Sequence, residues 1–183
     1  FGKESSVSIA SARAGNVIGG GDWSEDRLIP DMLKAFEKNE AVLIRNPLAT
    51  RPWQHVLEPI SGYLMLAENL YNSDEDFSEA WNFGPKDNDV HKVGDVLDYF
   101  VENWPCSASW EVNNNEQPHE AQLLKLDISK AKARLKWQPK WDLEITLQSI
   151  IYWHQAWINK EDMREITLKQ IADYEKMFED SYV

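Results

Sequence analysis

The chain alternates short apolar strands with longer stretches at helical spacing. From Val7 to Ala14, apolar and small polar residues interchange, with Val7, Ile9 and Ala12 among the apolar ones, which predicts a buried strand. Gly19-Gly20-Gly21 ends it and opens a loop. Asp26 to Lys38 predicts a helix with Leu28, Ile29, Met32, Leu33 and Phe36 on one stripe, and Pro30 fits only near its first turn. Val42-Leu43-Ile44 and Trp53 to Val56 read as short strands separated by the Asn46-Pro47 turn. Glu58-Pro59 begins a helix whose expected buried stripe is Ile60, Tyr63, Leu64, Ala67, Leu70 and Tyr71.

Further along, Ala80 to Phe83 reads as a strand stopped by Gly84-Pro85, and Val93 to Trp104 as an amphipathic helix. Ser109 to Val112 is a last short strand. Asp127 is expected to cap a short helix running to Leu135, and Asp142 a longer one. That longer helix sets Leu143, Leu147, Ile150, Ile151, His154 and Trp157 on one side. Residues 161 to 179 predict a charged helix anchored by Ile166, Ile171, Tyr174 and Phe178. Helices alternating with strands give an α/β class. The strands are too few for a complete doubly wound sheet.

The formal charge of −12 over 183 residues argues against a nucleic-acid binder, because phosphate contacts need a basic face. A few local arginines can still hold a small anion. No apolar run approaches the ~20 residues of a membrane span. A single cysteine, Cys106, leaves no internal disulfide, makes structural zinc unexpected and sets a reducing cytoplasmic location as the default. The four histidines share no metal-ligand spacing, and no metal site is expected. Phe1 is not a natural start, so residues are expected to precede it.

Two clusters carry candidate chemistry. Arg51, before a strand and beside Pro52, can grip a diphosphate with two parallel hydrogen bonds. Asn16 lies at the C-terminal end of a strand, where open α/β sheets bind ligands, and its amide both donates and accepts. The glycine run could admit an anion to backbone N–H groups, but it lacks G-x-G-x-x-G spacing. His55 could be a packed core histidine, a ligand contact or an acid/base group, in that order; His91 and His154 read as structural. Among the nine tryptophans, Trp23 and Trp53 flank the two clusters and are expected near a ligand.

These residues resemble the extended short-chain dehydrogenase/reductases that act on nucleotide sugars, and within them the CDP-glucose 4,6-dehydratase branch. The resemblance runs from about residue 7 to 157. It is carried chiefly by Gly15-Asn16-Val17-Ile18-Gly19-Gly20-Gly21-Asp22-Trp23 and by Arg51-Pro52-Trp53-Gln54-His55-Val56-Leu57-Glu58-Pro59. Trp81-Asn82-Phe83-Gly84-Pro85, His119-Glu120-Ala121 and Leu124-Lys125-Leu126-Asp127 support it.

The resemblance implies the C-terminal part of such a fold: the last strands of a Rossmann-type sheet plus a mostly helical substrate-binding lobe. Residues 1–160 would form that substrate-binding part and 161–183 a charged helical tail. It implies CDP-glucose as ligand and NAD as cofactor of the full-length parent. That parent would form CDP-4-keto-6-deoxyglucose for bacterial surface polysaccharide sugars, with homodimerisation open to it.

Position by position, Asn16 would contact the sugar nucleotide and Arg51 the diphosphate. Ile44 and Arg45 would lie beside base and ribose, His119 near the phosphates, and Ala14 near the nicotinamide. The family's NAD loop, Tyr-x-x-x-Lys pair, catalytic threonine and acid would precede Phe1. No catalytic residue is therefore assigned, and the chain alone is expected to be inactive. Alternatives are a non-catalytic nucleotide-sugar binding module, an epimerase or dehydratase on another nucleotide sugar, or a remnant serving assembly only.

Overall fold

The computed structural model describes residues 7–72, 77–113 and 123–179. Gly15 organises the first part of the chain. Strand β1 (Ser11–Ala14) runs parallel to β6 (Ala80–Phe83), and β2 (Asn16–Ile18) runs parallel to β5 (Trp53–His55), so one extended stretch changes partner at the glycine. A Cβ on Gly15 would stand 2.3 Å from the Pro52 carbonyl oxygen, nearer than any side chain tolerates, so only glycine allows this approach.

Helix α1 (Leu28–Glu37) follows, with Pro30 in its first turn, and buries Ile29, Met32, Leu33 and Phe36. Strand β3 (Val42–Ile44) pairs in parallel with β8 (Trp110–Val112). Between them in sequence, β4 (Thr50–Arg51) lies antiparallel to β7 (His91–Lys92), a pairing of two residues on each side that hydrophobic pattern does not reveal. Helix α3 (Val93–Asn103) is stopped before Trp104-Pro105, and its first turn is held by Lys92 N–H donating to Asp95 Oδ2 at 3.1 Å. After Asp127, whose Oδ1 accepts from Ser129 N–H, the chain passes through a π-helical segment, Ala131–Leu135. Asp142 caps α4 (Leu143–Ile158) by accepting from Ile145 N–H at 2.9 Å.

The main core gathers Phe36, Ile44, Trp53, Leu97, Phe100, Leu147 and Ile150 from α1, β3, β5, α3 and α4. Each fully buried apolar side chain of this size contributes about 1.5–3 kcal/mol. A second core sits around Trp81, Phe83, Leu66 and Trp137. Helix α5 (Met163–Glu179) lies on α4, where Ile166 joins Trp153 and Ala156.

The structure corrects two expectations. Helix α2 (Leu57–Asn72) does not bury the anticipated stripe; its inner face is Glu58, Pro59, Gly62 and Leu66. A Cβ at Gly62 would meet the Phe83 ring at 2.3 Å, so the helix approaches β6 through a glycine rather than through bulk. Ile60, Tyr63, Leu64 and Tyr71 face outward. Strand β1 is likewise not buried, since Ser11, Ala12 and Arg13 are exposed.

Candidate functional site

The partner change at Gly15 carries Asn16 away from β6 and beside Trp53. Asn16 N–H donates to Pro52 O at 2.8 Å, and Asn16 and Trp53 are register partners. Pro52 separates β4 from β5 and stiffens the link that holds Arg51 on one side of it and Trp53 on the other. Arg51 is almost fully buried, and its Nη1 donates to Thr50 O at 3.0 Å. Strand β3 adds Ile44, with Arg45 just past its end, and the first turn of α1 forms the opposite wall.

These elements enclose a hollow of about 1040 Å³, at the upper end of the ~300–1,000 Å³ usual for small-molecule sites. Asn16, Ile44, Arg45 and Arg51 all line it, together with Trp53. Ala14 is not in its wall, although the adjoining Gly15 is. His119 lies outside the described residues.

The hollow also contains residues that the sequence reading missed. Arg27 occupies the position before α1, with no side-chain capping bond. A cation beside the positive end of a helix dipole opposes the usual preference, and that mismatch is the signal that could have singled it out. Asp22, Asp26 and Asp31 share the wall, so three arginines face three carboxylates around one space. Burial pushes the Asp22 carboxyl up, but hydrogen bonds from Ser24 and the charge of Arg27 together hold it below its ordinary value.

Other candidates prove to be packing groups. A Cβ on Gly19 would strike Val56, and one on Gly20 would sit 2.2 Å from the Trp153 ring, so these glycines make room for side chains. Trp23 stays 44% exposed and packs on Trp157 at 4.6 Å and His154 at 5.8 Å; it does not line the hollow, whereas Trp53 does.

His55 is the packed core histidine. Burial lowers its pKa to about 4, its Nδ1 accepts from Leu57 N–H at 3.3 Å, and its ring lies 4.8 Å from that of Trp141. The accepting Nδ1 puts the proton on Nε2, which is buried with no partner among the described residues. His154 is buried against Glu37 at 2.7 Å, and His91 meets Asp89 at 3.1 Å.

A smaller depression of about 290 Å³ gathers Asp89, Asp95 and Asp142, each already accepting a backbone N–H at a helix start. Among the described residues no cluster of three or more His, Cys, Asp or Glu could hold a metal ion, and no helix is long and apolar enough to cross a membrane.

The chain is 54% identical over 168 residues to the CDP-glucose 4,6-dehydratase of Salmonella typhimurium, a match covering 92% of this chain and 47% of that protein. No family model matches the chain. Among solved structures it is similar to the UDP-glucuronic acid 4-epimerase of Bacillus cereus in complex with UDP-glucuronic acid and NAD, at TM-score 0.69 and 20% identity. That alignment covers 81% of this chain and 46% of the epimerase. It is also similar to the dTDP-glucose 4,6-dehydratase of Bacillus anthracis in complex with NAD, at TM-score 0.60 and 16% identity, covering 80% and 44%. The chain thus spans about half the length of the relatives it matches, and its fold is that of part of an extended short-chain dehydrogenase/reductase.

Proposed function

We propose that the chain is the sugar-nucleotide-binding half of a CDP-glucose 4,6-dehydratase. The observation that carries this reading is the single hollow that brings Asn16, Ile44, Arg45 and Arg51 together. The identity to the Salmonella enzyme supports CDP-glucose as the ligand. In this reading Arg51 grips the diphosphate, Asn16 hydrogen-bonds the sugar end, and Ile44 and Arg45 flank base and ribose. His119 belongs to the same proposed set, near the phosphates. The guanidinium of Arg51 is well suited to the task, because burial has already removed most of its hydration and its rotamer freedom.

NAD, bound in the solved relatives, would accept and return hydride; here Ala14, at the end of β1 beside Gly15, is the residue that would lie next to it. The fit is limited to that corner, because the sequence contains neither G-x-G-x-x-G nor Tyr-x-x-x-Lys. This chain alone therefore binds and orients the sugar nucleotide without transforming it. The parent enzyme is read as a cytoplasmic lyase that forms CDP-4-keto-6-deoxyglucose for surface polysaccharide sugars.

Calorimetry with CDP-glucose, UDP-glucose and dTDP-glucose tests the ligand, with CDP-glucose expected to bind tightest. Losing a charge-assisted contact costs ~1.5–3 kcal/mol, so Arg51→Ala should weaken binding roughly 10- to 150-fold. Unchanged affinity in a folded Arg51→Ala variant removes the site assignment. Keto-sugar absorbance from the chain with NAD and CDP-glucose would overturn the absence of catalysis.

A further inference from the structure

Trp53 departs from the way this fold treats its indole N–H groups. Trp81, Trp110, Trp137 and Trp153 each donate to a protein oxygen at 2.9–3.0 Å. Trp53 is only 5% exposed, yet its Nε1 is buried with no partner among the described residues. A buried tryptophan N–H usually finds an acceptor, and leaving it without one is costly. Gln54 Oε1 and His55 Nε2, next along β5, also have no partner among the described residues, but neither residue lines the hollow, whereas Trp53 does.

Strand geometry sets what lies beside that ring. Trp53 is the register partner of Asn16, so the two side chains leave the parallel pair of β2 and β5 on the same face. Arg51 is two residues back across Pro52, which brings it to that face as well, and all three line the hollow. Trp53 thus adjoins both the residue read as gripping the diphosphate and the residue read as meeting the sugar. Its chemistry narrows the acceptor, because an indole N–H donates only and an ionised phosphate oxygen accepts only.

We propose that Trp53 is a further binding residue of this site, donating its indole N–H to an oxygen of the phosphate nearer the sugar. It adds a neutral donor between Arg51 and Asn16, an assignment that rests on reading the hollow as a sugar-nucleotide site. Nε1 is closed to water, so the indole turns slightly toward the hollow to make the bond. A hydrogen bond between exposed groups exchanges water for ligand and nets little, but this donor gains a partner without giving one up. The charge on the phosphate strengthens the bond further. By holding the phosphate that carries the sugar, Trp53 orients the sugar toward Asn16.

Calorimetry compares wild type with Trp53→Phe, which keeps an aromatic ring in the core and removes the N–H. Losing a bond to a charged oxygen should weaken CDP-glucose and CDP roughly 10-fold or more, and leave CMP, which lacks the second phosphate, within about twofold. The Trp53 indole proton, assigned in the wild type by through-bond NMR, should move downfield on saturation with CDP-glucose or CDP and stay in place with CMP. Should Trp53→Phe fail to fold, the wild-type resonance decides alone.

Equal weakening of CMP, or no weakening of CDP-glucose, overturns the proposal. So does an indole proton that CMP moves as far as CDP does. A wild-type chain that binds none of the three removes the sugar-nucleotide reading and this inference with it. Binding of CDP-glucose with an unmoved indole proton overturns this inference alone and leaves that reading standing.

Discussion

Glu58 offers the sharpest test of the packing. Its carboxylate is fully buried, with Oε1 accepting Lys140 N–H at 3.0 Å and Trp141 N–H at 2.7 Å and Oε2 accepting the Tyr174 hydroxyl at 2.8 Å. Burial pushes its pKa from the ordinary 4.5 to about 6, against the opposing pull of those hydrogen bonds and of Lys140. The folded state therefore binds the proton more tightly than the unfolded chain does. The associated stability, ~2 kcal/mol, is fully present below pH 4.5 and lost as pH rises through 6.

His55 works in the opposite sense over nearly the same window. Its pKa is held at about 4, below the ordinary 6.5, so its ~3 kcal/mol is present above pH 6.5 and lost as pH falls through 4. The wild-type profile alone cannot separate the two groups, but the difference between wild type and Glu58→Gln can. Glutamine keeps an acceptor for Lys140 N–H and Trp141 N–H, and the Tyr174 hydroxyl can turn toward Ser61 Oγ, 3.0 Å away.

Urea unfolding from pH 4.5 to 7.5 should show Glu58→Gln gaining up to ~2 kcal/mol on wild type between pH 4.5 and 7. Glu58→Ala leaves two buried N–H groups unmatched and a cavity, and should cost about 3–5 kcal/mol. Parallel pH profiles for wild type and Glu58→Gln, or a Glu58→Ala cost under ~1 kcal/mol, would refute the argument.

Two further substitutions separate site from scaffold. Gly15→Ala drives a Cβ into Pro52 O, and denaturation should register a loss of about 2–3 kcal/mol together with weakened CDP-glucose binding, because the floor of the hollow is displaced. Trp23→Ala should cost ~1–3 kcal/mol in the same assay, through the lost Trp157 and His154 contacts, and leave CDP-glucose affinity in calorimetry unchanged.

Much of the architecture is readable from residue patterns, and the misreadings have physical causes. The stripes of α1 and α3 were legible because each of those helices is apolar on one side only, so periodicity alone identifies the buried face. In α2 periodicity fails, since the outward stripe is the more hydrophobic one and the inward face was chosen for fit, with Gly62 against Phe83 and Glu58 as an acceptor. β4 and β7 escape detection because two residues have no period. The clustering of Asn16, Ile44, Arg45 and Arg51 could be anticipated only through resemblance, since three separate parallel or antiparallel pairings bring them together. Arg27 falls inside the helix expected over Asp26 to Lys38, and a single charge there has no spacing that marks it as part of a site.

The run from Arg51 to Glu58 owes its information content to serving three environments within eight residues. Arg51 and Trp53 turn to the hollow, while Gln54 Nε2 donates to Phe83 O at 2.9 Å and ties β5 to the end of β6. His55 packs on Trp141, and Glu58 draws in the backbone of that same tryptophan together with Tyr174 of α5. The charged C-terminal helix is therefore linked to β5 through two neighbouring contacts on Trp141. Loosening Tyr174 would relax the packing around His55 before it reached Arg51. A side chain far from the hollow can in this way influence how rigidly Arg51 is held, because β4 is joined through Pro52 alone to a strand, β5, that is braced from behind.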